Sequence, residues 1–332
     1  MTDLSTTYMG LKLKNPIIVG ASNMVSDISM LKRLEQAGAA AIVYKTLFEE
    51  QIHLESAQMD DEMGSFGEMN AEMISLHPKL QHAGAEVHLV NFRKAKESLS
   101  IPLIASLNCL EDETWTEYAR LLEKAGADGL ELNFFYVPRD FELDGHTIEE
   151  HQLDLLRLVK SKVTIPVSVK LSSFYSNPLN IISRFDKAGT GALVLFNKLF
   201  EPEINTEDIK HIAPFNLSQE GDYRLALRYA GLLFKQVKAS VCASSGIYNG
   251  NDIAKVILAG ADCVQVVSTL YKHKPEYIST MLADLETWMS SKSFSTIVDF
   301  RGKLSKASVK DPFIYKRAQY IDLLLGSEQL IK

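Results

Sequence analysis

The sequence predicts an α/β fold, a (βα)8 TIM barrel forming a single domain with long loops on its C-terminal face. Three observations carry that prediction. Short apolar runs recur eight times along the 332 residues, helix-period stretches separate them, and an Ala-Gly pair stands before every second run. A chain of this length could hold two ordinary domains or one barrel with insertions. The unbroken alternation of run and helix favours the single barrel.

The runs come in two phrases. The first opens with proline: Asn15-Pro16-Ile17-Ile18-Val19, Ile101-Pro102-Leu103-Ile104-Ala105 and Ile165-Pro166-Val167-Ser168-Val169, with Ala239-Ser240-Val241-Cys242-Ala243 as a fourth member that lacks it. The second follows Gly38, Gly126, Gly189 and Gly260, as Ala41-Ile42-Val43-Tyr44, Gly129-Leu130-Glu131-Leu132, Ala192-Leu193-Val194-Leu195 and Cys263-Val264-Gln265-Val266-Val267. Runs so nearly continuous in apolar residues suit strands covered on both faces, hence a parallel sheet. Stretches 28–37, 113–125, 149–162, 180–188, 223–237 and 252–259 place apolar residues at three- and four-residue steps, as helices do. Glycine after each alanine is the expected helix stop, because it enters the left-handed region without a Cβ penalty. An open doubly wound sheet is the competing fold, but its GxGxxG dinucleotide fingerprint is absent.

The barrel is expected over residues 1–290, and a basic tail over 291–332 is expected to pack on its outside. Segments 47–83, 134–147 and 198–221 exceed ordinary barrel connections, and each leaves the C-terminal end of a strand, where barrel enzymes build their sites. With 46% hydrophobic and 23% charged residues and a mean hydropathy of -0.03, the chain can bury a large core, which excludes disordered and disulfide-scaffold classes. Forty-two acidic against 35 basic residues give a net charge of -7, which opposes attraction to nucleic acid or to an anionic membrane. A small-molecule substrate is the expected partner. The sequence has no apolar run of about 18 residues and no export signal at its start, so a cytoplasmic protein without membrane attachment is expected. Cys109, Cys242 and Cys263 lie in or beside apolar runs without CxxC spacing and read as buried packing.

Polar residues at strand C-termini are the candidates for chemistry: Ser22 and Asn23, Lys45 and Thr46, Ser106 and Asn108, Asn133, Lys170 with Ser172 and Ser173, Asn197, Ser244, Ser245 and Gly246, and Ser268 with Thr269. This set is rich in amides and hydroxyls and holds no His/Asp/Glu metal cluster and no Ser-His-Asp arrangement, which argues against metal-assisted chemistry and hydrolysis. Lys170 stands inside Val167-Ser168-Val169-Lys170-Leu171, where an ammonium must meet an anion or lose its charge. The alternatives are a side chain snorkelling to solvent or a Schiff-base amine. Lys45 repeats the situation after strand two. The short turns after strands seven and eight, Ser245-Gly246 and Ser268-Thr269, suit a phosphate held by backbone N–H groups at a helix start, or ordinary capping. Asn133 and Asn197 offer donor and acceptor together to a planar amide or carboxylate, or else cap strand ends. Tyr136 reads either as packing beside Phe134 and Phe135 or as a proton donor or base.

Taken in order, Asn15-Pro16 with Ala21-Ser22, Lys45, Leu132-Asn133, Val169-Lys170-Leu171, Leu195-Phe196-Asn197, Ser245-Gly246-Ile247, Gly260-Ala261 with Val264-Gln265, and Asp299-Phe300-Arg301-Gly302-Lys303-Leu304 resemble the dihydroorotate dehydrogenase family, specifically its soluble class 1 branch. The resemblance implies an FMN-dependent oxidoreductase that moves hydride between a CH–CH bond and flavin N5, taking dihydroorotate to orotate in pyrimidine biosynthesis. It places Ala21, Ser22, Lys45, Thr46, Ser106, Asn108, Lys170, Asn197, Ser245, Gly246, Ser268 and Thr269 around FMN. Asn133, Asn197, Lys45 and Asn70 would meet the substrate. It also implies a homodimer and leaves open the electron acceptor, which a separate reductase could supply. The family's Ser-Cys-Pro-Asn element, whose cysteine is the base, is matched by Phe135-Tyr136-Val137-Pro138, which puts Tyr136 with Lys45 and Lys170 in the catalytic set. In the strand-two lid Gly64 stands where the family has a substrate asparagine. These departures widen the expectation to an ene-reductase or dehydrogenase of another small planar substrate, or to an FMN-binding barrel without turnover.

Overall fold

The computed structural model describes residues 2–49, 83–109, 112–135, 140–199, 201–212, 214 and 216–326. Eight parallel strands close into a barrel: β1 (Ile17–Val19), β2 (Ala41–Val43), β3 (Leu103–Asn108), β4 (Gly129–Asn133), β5 (Val167–Leu171), β6 (Ala192–Leu195), β7 (Ser240–Ser244) and β8 (Cys263–Val266). Each pairs with its sequence neighbours, and β8 returns to β1 with Gln265 opposite Ile18. All eight sit on the apolar runs read from the sequence.

Helices α1 (Ile28–Gln36), α2 (Ala83–Ser98), α3 (Asp112–Lys124), α4 (Gly145–Lys160), α5 (Pro178–Lys187), α6 (Arg224–Leu233) and α7 (Gly250–Ala259) surround the strands; α8 (Ser268–His273) and α9 (Tyr277–Ser291) follow β8. The expected stretch 223–237 is shorter than read, because the helix stops at Leu233. After α1, α3, α5 and α7, glycines 38, 126, 189 and 260 all have positive φ, as the Ala-Gly reading required.

Strand alternation sorts the side chains into two layers. Leu130, Leu132, Val169, Leu193, Leu195 and Val264 point outward and pack with Leu34, Leu122, Leu156, Phe185 and Ile257 of the helices. Ile18, Ala41, Val43, Ile104, Ala192, Val194, Cys242 and Cys263 form a second, interior cluster with Tyr8, Met9 and Leu13. Those last three belong to an N-terminal hairpin of Thr6–Tyr8 and Leu11–Leu13 that plugs the barrel floor. Met9 N donates to Ser240 Oγ at 3.1 Å, and a Cβ at Gly191 would lie 2.9 Å from the Met9 Cβ, so glycine is what lets the plug seat.

The two phrases have a structural reason. Proline at a strand start needs no donor partner, and the carbonyls of Pro16, Pro102 and Pro166 accept from Val264, Ile42 and Leu130 at 2.9, 3.1 and 2.9 Å. A carboxylate near the end of α1, α3 or α5 then caps the start of the next proline-type strand. Glu35 accepts from the Ser100 and Ile101 amides at 2.9 and 3.1 Å, Glu123 from those of Thr164 and Ile165 at 2.7 and 3.1 Å, and Asp186 from those of Lys238 and Ala239 at 2.7 and 2.8 Å. Beyond the barrel, the tail donates from Gly302 and Leu304 to the carbonyls of Ile257 and Leu258 at 2.9 Å each, and Arg301 pairs with Asp262.

Partial burial pushes the Glu35 and Glu123 carboxyls up, but hydrogen bonds from Ser100 and Ile101, and from Thr164 and Ile165, outweigh it and hold both below the usual carboxylate range. A depressed carboxyl stabilises the fold above its unfolded pKa, and that stability is lost as pH falls through the folded value. Glu35→Ala and Glu123→Ala are each expected to lower the unfolding free energy by about 1 kcal/mol at neutral pH, given the solvent access of both sites. Urea unfolding should show the gap to the parent protein closing below about pH 4.

Candidate active site

The polar upper half of the barrel is built by the strand ends. Interior positions that are apolar lower down become Ser106 and Asn108 on β3, Glu131 and Asn133 on β4, Ser168 and Lys170 on β5, Ser244 on β7 and Gln265 on β8. Ala21, Lys170, Asn197, Ser245, Gly246, Ser268 and Thr269 line a single cavity with Gln265 and residues 216–218. Seven of the expected site residues therefore share one wall.

Lys170 is 8% exposed, so it does not snorkel to solvent. Its Nζ donates to Gln265 Oε1 at 3.3 Å and stands 3.8 Å from Glu131 Oε1. Gln265 Nε2 in turn donates to Glu131 Oε2. The anion that the sequence required for Lys170 is thus Glu131, a residue the sequence reading passed over although it breaks Leu130-Glu131-Leu132 as Lys170 breaks its own run.

Asn133 and Asn197 are joined, Asn197 Nδ2 donating to Asn133 Oδ1 at 2.7 Å. Asn108 Nδ2 donates to the carbonyls of Asn133 and Phe135 at 2.6 and 3.2 Å, bracing the root of the strand-four loop. Thr46 and Ser106 share a buried hydroxyl–hydroxyl hydrogen bond of 2.8 Å. Half-buried Lys45 stands near His88 of α2, whose burial and whose cationic neighbour bring its pKa down to about 4, so that imidazole is neutral at pH 7. Tyr136 and Asn70 lie outside the described residues.

Also on this lining, Ser245 (φ +73°) and Gly246 (φ +69°) form a tight turn after β7. Ser218, from the long connection after β6, accepts from Gly246 N at 3.0 Å and shares a 2.8 Å hydrogen bond with Ser268 Oγ. A Cβ on Gly246 would lie 2.6 Å from the Gln219 carbonyl oxygen and 2.7 Å from Asp222 N. Ser22 Oγ and Thr269 Oγ1 are buried without a hydrogen-bond partner. Nothing in the spacing of the long connection marked Ser218 for this place. Among the described residues no group of His, Cys, Asp and Glu could hold a metal ion, and no helix is long and apolar enough to cross a membrane. The three cysteines are buried, as read.

Comparison with known proteins agrees with this layout. The dihydroorotate dehydrogenase family profile matches residues 3–289. The catalytic subunit of dihydroorotate dehydrogenase B (NAD(+)) from Thermoplasma volcanium is 29% identical over 310 residues, covering 91% of this chain and 98% of that protein. The chloroplastic dihydropyrimidine dehydrogenase (NADP(+)) of Arabidopsis thaliana is 26% identical over 90% of this chain and 76% of its own length. The NAD-dependent dihydropyrimidine dehydrogenase subunit PreA of Escherichia coli K12 is 24% identical, with the same two coverages. The matched span takes in the N-terminal plug, all eight strands and every residue lining the cavity, and the chain belongs to the dihydroorotate dehydrogenase family as a divergent member.

Proposed function

We propose that this protein is an FMN-dependent oxidoreductase acting on a CH–CH bond of a small planar dihydropyrimidine-type substrate. The observation that supports the reading best is the single cavity whose lining joins a buried, carboxylate-paired lysine to the Ser245-Gly246 and Ser268-Thr269 turns. That donor set fits FMN. The partnerless hydroxyl of Thr269 beside the tight turn suits phosphate oxygens, and the partnerless Ser22 hydroxyl and the Lys170 ammonium suit a polar ring edge. When bound, FMN would supply the site at which hydride is accepted or given up.

The chain's own part is orientation, charge and proton handling. Lys170 presents a fixed positive charge where negative charge gathers on reduction, an electrostatic contribution that needs no movement at the moment of reaction. The joined Asn133 and Asn197 present their remaining donor and acceptor atoms to a planar amide or carboxylate, with Asn108 holding the loop root still. Lys45 adds a second cation on the substrate side. Tyr136 takes the cysteine's place in the family pattern and serves as proton donor or base. The relatives named as subunits support a separate reductase as electron partner. A cytoplasmic homodimer remains part of the same reading.

The deciding experiment is anaerobic. Purified protein reconstituted with FMN should be yellow, and dihydroorotate or a 5,6-dihydropyrimidine lacking the carboxylate should bleach it within minutes. A protein indifferent to FMN sinks the proposal; bleaching by one of the two substrate types assigns the class. Lys170→Met should slow bleaching about 100-fold or more, and Tyr136→Phe by about 100-fold, in stopped-flow traces at saturating substrate. In equilibrium titrations Gly246→Ala should weaken FMN binding at least about ten-fold and cost about 2 kcal/mol of stability, because its Cβ meets backbone atoms at positive φ. Ser245→Gly should keep FMN and gain about 1 kcal/mol by relieving the same conformation.

A further inference from the structure

Glu131 has no part in the reaction as described, yet it is wholly buried and sits directly beneath the cavity. One of its oxygens accepts from Gln265 Nε2; the other has no hydrogen-bond partner and faces Lys170 Nζ at 3.8 Å. A carboxylate this dry is stable only opposite a cation. Lys170 is the cation at that distance, and Lys198, on the same cavity wall, is paired with Asp222 at 3.7 Å.

Below the cavity, Tyr8 and Cys263 add no competing charge. Tyr8, Cys242 and Cys263 lie on the barrel floor. Burial, then Cys242, then Glu131 hold the Tyr8 phenol well above its usual range, and burial does the same for the Cys263 thiol, so both are neutral. Gln265 completes a ring of three side chains from β4, β5 and β8, accepting from the lysine and donating to the glutamate. Its amide therefore has one possible orientation.

We propose that Glu131 is a positioning residue: it is the counter-ion that holds the Lys170 ammonium charged and fixed at the cavity, and it offsets part of the field that the bound cofactor feels. The second half rests on the FMN reading above. A bare lysine would favour the more negatively charged, reduced cofactor strongly; a lysine paired from below favours it less.

The test uses the full-length protein and two readouts. Competitive labelling with acetic anhydride across pH, followed by mass spectrometry of the Lys170 peptide, reports the titration of that amine with no cofactor present. Glu131→Gln should lower the Lys170 midpoint by about one unit, a ten-fold change in the ammonium-to-amine ratio. In FMN-loaded protein near pH 6.5 the same variant should raise the midpoint potential. A ten-fold shift of the two-electron equilibrium corresponds to about 30 mV. If Glu131→Gln does not fold, Glu131→Asp, which retracts the charge by one methylene, should move both readouts in the same directions by less. A Lys170 profile identical to that of the parent protein overturns the proposal, and so does an unchanged potential. A protein that takes up no FMN refutes the cofactor reading instead, and the labelling profile still decides whether Glu131 is the counter-ion.

Discussion

Closure of the sheet is the constraint from which the rest follows. Once β8 pairs with β1 and β2 with β3, alternate side chains of all eight strands must share one narrow interior. Its lower half is filled by small and aliphatic side chains and by the N-terminal plug, which pack beneath the polar upper half. Charge placed in that upper half is buried, as Glu131 and Lys170 are. Buried there, the Lys170 ammonium is costly unless a partner comes from inside the barrel. Glu131 is that partner.

Much of this was legible in the chain. Each of the eight barrel strands lies on a run that the two phrases picked out, since buried parallel strands write themselves as continuous apolar segments. The glycine stops were legible for the same local reason: positive φ is a property of one residue. Lys170 stood out because a charge interrupting an apolar run has an energetic cost visible without coordinates. Glu131 carried the same signal, but what pairs with what depends on closure. Gln265 and Glu131 are 134 positions apart on strands that are not neighbours. No local pattern holds that distance. Ser218 is less legible still, because it reaches Gly246 from a connection whose course is set by the structure it covers.

The two phrases turn out to be more than strand markers. They divide the barrel into βαβα units, each closed by a carboxylate that ends one helix and caps the strand two places on. Glu35, Glu123 and Asp186 do so in three successive units, and Asp128 and Asp262 extend the device sideways by accepting from Leu103 N and Val241 N at 2.7 and 2.8 Å. These anchors sit at the floor, away from the cavity. These carboxylate caps hold the N-terminal ends of the strands, and the polar groups of the cavity are carried on the opposite ends.

That division bears on what Lys170 does. A Schiff-base lysine must offer a neutral amine, and barrels that use one deprive it of counter-charge by desolvation or by a neighbouring cation. Here the arrangement is the reverse: a buried carboxylate lies at 3.8 Å, and an amide oxygen accepts at 3.3 Å. Both favour the ammonium over the amine. A lysine with such partners suits a fixed charge better than a covalent nucleophile, which supports the proposed reading over the Schiff-base alternative. On the proposed reading Lys170 acts through its field, and the buried Glu131 below it is the group placed to set that field's strength.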